Sequence, residues 1–123
     1  MRPRRSAFLL AALAAVAALV AAASAPAATP KLVGETGPGF TIEVKTSAGK
    51  DVKSLKAGTY LIKVEDKSSI HNFHLFGPGV NKTTSVGGTG EKTWTIKLKP
   101  GKYAYQCDVH ASQGMQGTFK VVS

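Results

Sequence analysis

From Phe40 to the end of the chain, apolar side chains recur at every second position. Phe40, Ile42 and Val44 alternate with Thr41, Glu43 and Lys45, and the same spacing returns in Tyr60, Ile62 and Val64 and in Trp94, Ile96 and Leu98. Phe119 and Val121 form the last such set. A period of two marks a strand with one buried face, because successive side chains of extended backbone point to opposite sides. Turn-forming residues stand between the runs: Ala48-Gly49, Ala57-Gly58, Gly77-Pro78-Gly79, Gly87-Gly88 and Pro100-Gly101. No segment after residue 27 has helical spacing. Several short strands punctuated this way predict an all-β fold, a Greek-key β-sandwich whose two sheets enclose the alternate apolar residues. The stretch from Gly77 to Gly90 reads as one long loop at an end of the sandwich.

The first residues break this pattern. Arg2, Arg4 and Arg5 precede an Ala/Leu/Val run from Ala7 to Val20, and small residues follow up to Ala27. That order of charged, apolar and small residues is the form of a cleavable export signal, and it places residues 1–27 outside the folded unit. A retained membrane anchor is the alternative, but so Ala-rich a run is weakly apolar for a span. Residues 28–39, with Pro, Gly and Thr, read as a flexible leader holding at most an edge strand near Leu32 and Val33. Residues 40–123 then form one domain, since so short a chain supports a single core. The predicted location is outside the cytoplasm, periplasmic or extracellular, in solution or at the membrane.

Charge narrows the partners. The three arginines all lie in the signal, leaving thirteen lysines against seven acidic residues, a net charge of +6. Such a surface predicts a partner protein with an acidic docking face or an anionic membrane surface. Nucleic acid is excluded as a partner, because no aromatic-plus-arginine pattern of a base reader is present.

Cys107 is the single cysteine, so it has no intramolecular disulfide partner. A lone cysteine is most often a small buried hydrophobe. Here, however, His110 follows three residues later and Met115 five after that. One short loop can turn all three side chains to a point. Thiolate, imidazole and thioether are the donors that select copper, and a second imidazole completes a trigonal His₂Cys site with a weak axial methionine. That second imidazole is His71 or His74.

The run Tyr105-Gln106-Cys107-Asp108-Val109-His110-Ala111-Ser112-Gln113-Gly114-Met115 resembles the copper loop of plastocyanins, within the cupredoxin family. Ile70-His71-Asn72-Phe73 is similar to that family's other ligand segment. The resemblance implies His71 rather than His74 as the fourth ligand, and parity agrees: His71 shares a face with Phe73 and Leu75. It implies one copper ion, cycling between Cu(I) and Cu(II), held by His71, Cys107, His110 and Met115. It also implies a monomeric electron carrier that passes single electrons between redox partners at the His110 edge, through a patch including Val109, Ala111, Gly77 and Pro78. Asp108 replaces the usual small hydroxyl residue, and a hydrogen bond from Asn72 to Asp108 is expected to tie the two ligand segments together.

Two other readings use the same residues. A copper-binding or sequestering module would keep the ligands without carrying electrons, and zinc on Cys107, His71 and His110 would give a colourless structural site. An enzyme is not expected. Copper oxidases and nitrite reductases of this fold need additional histidines, and the chain has three in all.

Overall fold

The computed structural model describes residues 14–19 and 27–123. Most of the expected signal segment, 1–27, therefore lies outside the described residues. Among those described, the strands are β1 (Lys31–Thr36), β2 (Ile42–Thr46), β3 (Ser54–Lys56), β4 (Gly58–Asp66), β5 (His74–Gly77), β6 (Val80–Thr83), β7 (Gly90–Leu98), β8 (Gly101–Gln106) and β9 (Gln116–Val122). They form two sheets, in the orders β2-β1-β4-β7 and β3-β9-β8-β5-β6. Each sheet contains one parallel pair, β1 with β4 and β3 with β9; the other pairs are antiparallel. Among the described residues no helix is long and apolar enough to cross a membrane.

The two-residue period places the core where it was expected. Val44, Tyr60, Ile62, Val64, Ile96 and Leu98 of the first sheet meet Phe73, Leu75, Tyr103, Tyr105, Phe119 and Val121 of the second. Fully burying one such side chain contributes about 1.5–3 kcal/mol. The rings are ordered in near-parallel pairs, Phe73 on Tyr105 and Tyr103 on Phe119, with centroids 6.0 and 5.4 Å apart. Phe73 also lies over Gly34, where a Cβ would come within 2.7 Å of the ring. Only glycine lets the two sheets approach so closely there.

Three sequence expectations need correction. The leader strand is not an edge: β1 runs between β2 and β4, with Leu32 and Thr36 buried. Its short apolar content hid this, because its contribution is backbone pairing on both sides and a glycine seat for Phe73. Phe40 does not belong to the inward face of β2. The amide of Gly37 donates to Thr41 O at 2.9 Å, and this turn leaves Phe40 ahead of the strand and 54% exposed. Finally, Gly77 to Gly90 is not one loop. Gly77-Pro78-Gly79 turns the chain into β6, which pairs back on β5, so that only residues 84–89 form a loop.

The segments 37–41, 67–73, 84–89 and 107–115 gather at one end of the sandwich, where β1, β4, β6 and β8 finish and the strands after them begin. The β5–β6 turn lies at the other end. Gly77 and Pro78 are therefore remote from Cys107 and His110, contrary to the patch that the resemblance implied.

Candidate metal centre

Cys107 follows the last residue of β8, and strand parity turns it inward with Tyr103 and Tyr105. Its amide donates to Met115 O at 3.0 Å, closing the loop at its base. Within the loop, His110 N bonds Cys107 O at 3.2 Å and Gln113 N bonds His110 O at 2.9 Å, giving the single helical turn Ala111–Gln113. Gly114 ends this turn at φ +94°, a left-handed conformation that glycine adopts without strain. The chain then reverses into Met115, which is fully buried.

His71 arrives from the other sheet crossing, three residues before β5 rather than at its first residue. Its segment is clamped on both sides. Asn72 Nδ2 donates to Asp108 Oδ2 at 2.8 Å, and the Asp108 amide donates to Asn72 Oδ1 at 2.8 Å. The expected tie between ligand segments is thus present, and doubled. Phe73 N donates to Thr84 Oγ1 at 2.8 Å, fixing the next residue to the 84–89 loop.

These constraints bring three donor atoms together. His71 Nδ1 lies 3.8 Å and His110 Nδ1 3.5 Å from Cys107 Sγ, and the two nitrogens are 2.9 Å apart. A first-row metal with bonds of roughly 2.3 Å to sulfur and 2.0 Å to nitrogen needs sulfur and nitrogen about 3.6–3.8 Å apart. The two sulfur–nitrogen distances therefore suit one ion, while the nitrogens, 2.9 Å apart, must open to about 3.3 Å to bind it at a tetrahedral angle. His71 and Cys107 are buried while His110 is half-buried, so one imidazole alone faces outward.

His74 is not part of this cluster. Its Nδ1 lies 2.8 Å from Asp108 Oδ1 and its Nε2 2.6 Å from Asn81 Oδ1, on the opposite side of the strand from His71. Burial works to lower the His74 pKa, but the Asp108 and Asn81 hydrogen bonds outweigh it and raise the value. Asp108 is also partly desolvated, yet hydrogen bonds from Gln106, His74 and Asn72 hold its carboxyl below the usual range. Both groups brace the loop. Phe40 is a site residue that periodicity alone misplaced. Its ring packs edge-on against His71 and His110, with centroids 5.2 and 4.8 Å away.

Residues 36–122 match the family of copper binding proteins described as plastocyanin/azurin. The chain belongs to this family. Among solved structures, reduced rusticyanin is 23% identical, with 76% of this chain and 79% of that one covered and a TM-score of 0.58. Rusticyanin from Thiobacillus ferrooxidans is 22% identical over 76% and 77%, with a TM-score of 0.54. Reduced auracyanin from Roseiflexus castenholzii is 19% identical over 79% and 100%, with a TM-score of 0.52. These likenesses establish a shared fold. No curated protein sequence matches the chain. For this cupredoxin the cofactor is copper, and His71, Cys107 and His110 are positioned to ligate it.

Charge within this cupredoxin is unevenly placed. Glu43, Glu35, Glu65 and Glu91 stand side by side across β2, β1, β4 and β7, near the copper end. Asp66 and Asp108 lie at the same end, leaving only Asp51 elsewhere. Lys45, Lys63 and Lys67 pair with this glutamate row at 3.0–3.3 Å. By contrast Lys31, Lys56, Lys97, Lys99 and Lys102 lie towards the far end and form no ion pair among the described residues. Lys82 and Lys92 lie in the copper half and form no ion pair among the described residues either.

Proposed function

We propose that this cupredoxin is an exported one-copper electron carrier, with Met115 as the weak axial ligand beside His71, Cys107 and His110. The observation that carries the reading is the convergence of two buried donors and one half-exposed imidazole at a site braced by both sheets. Copper bound there supplies one-electron chemistry between the cupric and cuprous states. The chain's task is to hold one geometry for both, and the doubled Asn72–Asp108 bond together with the short loop resists rearrangement. Cys107 binds as thiolate, since a metal cation strongly favours the deprotonated sulfur.

His110 is the exit for electrons. Phe40, Ile70 and Val109, each at least half exposed, supply apolar area around it for brief docking of a redox partner. Export is supported by the charged-then-apolar order of residues 2–20. Purified protein given Cu(II) should develop an intense thiolate-to-copper absorption band and cycle reversibly by one electron in voltammetry. A colourless complex, or slow cycling with very tight Cu(I) retention, would replace the carrier reading with zinc binding or copper storage.

In this reading an anionic surface is met at the far end rather than at the copper end, and the lysines there that form no ion pair among the described residues support it. Residues 27–30 lead into β1 from that same end, so a bilayer contacted there leaves the copper site facing away. Each lysine near an anionic bilayer contributes about 1 kcal/mol. The mature protein should sediment with phosphatidylglycerol vesicles but not with phosphatidylcholine vesicles. Joint Lys99→Glu and Lys102→Glu substitution should weaken this more than about tenfold, with Lys82→Glu and Lys92→Glu weakening it less. Equal loss from both pairs would remove the assigned orientation.

A further inference from the structure

Among the described residues, three buried side-chain polar atoms have no hydrogen-bond partner: Thr36 Oγ1, Asp66 Oδ2 and His71 Nε2. Their residues are neighbours. Thr36 and Asp66 are paired across the parallel β1–β4 ladder, and both are buried at its copper end. A Cβ on Gly37, the residue after Thr36, would lie 3.2 Å from His71 Cδ2, the ring carbon bonded to Nε2. The electrostatics agree: burial pushes the Asp66 carboxyl up, while the Ser68 amide and the His71 ring pull against it.

Each buried polar atom left unmet costs about 1–3 kcal/mol, so three at one place require a common explanation. Their chemistry is complementary. With Nδ1 turned towards the sulfur, a neutral imidazole ligand carries its proton on Nε2 and must donate it. A carboxylate oxygen accepts, and a threonine hydroxyl does either. Asp66 is itself held, because its Oδ1 accepts the Ser68 amide at 3.1 Å, in the bend that leads from β4 to His71.

We propose that Asp66, with Thr36, is a positioning residue for His71, accepting the Nε2 proton's hydrogen bond through one internal water. A buried water commonly makes about three hydrogen bonds, which matches the three atoms. The pairing fixes the tautomer that leaves Nδ1 free to ligate. A carboxylate behind the imidazole also makes Nδ1 a stronger donor and favours the more positive oxidation state of the metal. This rests on the copper reading only for the second of these effects; the tautomer belongs to the protein alone.

The test has two arms. Nitrogen-15 NMR of the metal-free protein should show His71 protonated on Nε2, with a proton that exchanges slowly with water. Asp66→Asn, and separately the isosteric Thr36→Val, should speed that exchange at least tenfold. In the copper-loaded protein, Asp66→Asn should shift the Cu(I)-over-Cu(II) preference upward by about tenfold, which is about 59 mV in reduction potential. A wild-type His71 protonated on Nδ1, an exchange rate unchanged in both variants, or an unchanged potential in Asp66→Asn overturns the proposal. Should Asp66→Asn fail to fold, the wild-type tautomer and Thr36→Val decide. Should copper not bind at all, the metal-free exchange rates still decide, which separates failure here from failure of the carrier reading.

Discussion

Cys107→Ser will yield a folded protein that gives no intense visible band with Cu(II) and binds the cupric ion more than about 100-fold more weakly. The magnitude follows from the site's construction. Loss of a group that merely orients a ligand commonly costs about 10–100-fold in metal affinity, and Cys107 supplies the chain's single cysteine sulfur, 3.8 and 3.5 Å from the two Nδ1 atoms. A serine hydroxyl remains protonated at neutral pH and is a poor ligand. The fold should persist, because the apolar core is assembled from other residues, and the new hydroxyl can bond His71 or His110. Absorption spectra and competition with a copper chelator give the answer. Cupric affinity equal to that of the unaltered protein would mean that the metal sits elsewhere.

A large loss of stability is expected from a single added methyl group. In Gly117→Ala the new Cβ would overlap the ring of Tyr105, the residue directly opposite on β8. Tyr105 cannot retreat freely, since it stacks on Phe73 and tilts against Phe119. Overpacking of this kind costs about 3 kcal/mol at the upper end of its usual range. For a domain of this size that lowers Tm by roughly 12–24 °C. Gly39→Ala is the control, because a Cβ there meets nothing within 4 Å. Denaturant melts that show the same stability for both variants would exclude the steric account. The effect also reaches the metal: Tyr105 lies two residues before Cys107, and Phe73 two residues after His71. Cupric spectra of any folded Gly117→Ala protein should therefore be altered.

The strands carrying Tyr60, Ile62 and Val64, or Ile96 and Leu98, were legible because alternation is a local property of extended chain with one buried face. The donor loop was legible for a related reason. Cys107, His110 and Met115 are close in sequence, and few arrangements other than a metal site call for those three donor types together. The Asn72–Asp108 tie was also foreseeable, once the two ligand segments were known to meet. β1 was not read as an interior strand, because its place depends on pairing with two strands and on Gly34 seating Phe73, neither visible in the six residues Lys31–Thr36.

What the chain's order determined unaided is therefore the layered β fold and a candidate donor loop from Cys107 to Met115: both follow from short-range periodicity and from side-chain chemistry. Tertiary structure alone decided that Phe40 leaves the core to cover the two imidazoles, that Gly77 and Pro78 sit at the end remote from copper, and that the acidic residues other than Asp51 gather at the copper end. It also placed Thr36 and Asp66 behind His71. Each of these depends on which strand lies beside which, and in what register, and that pairing is settled between residues tens of positions apart rather than among neighbours.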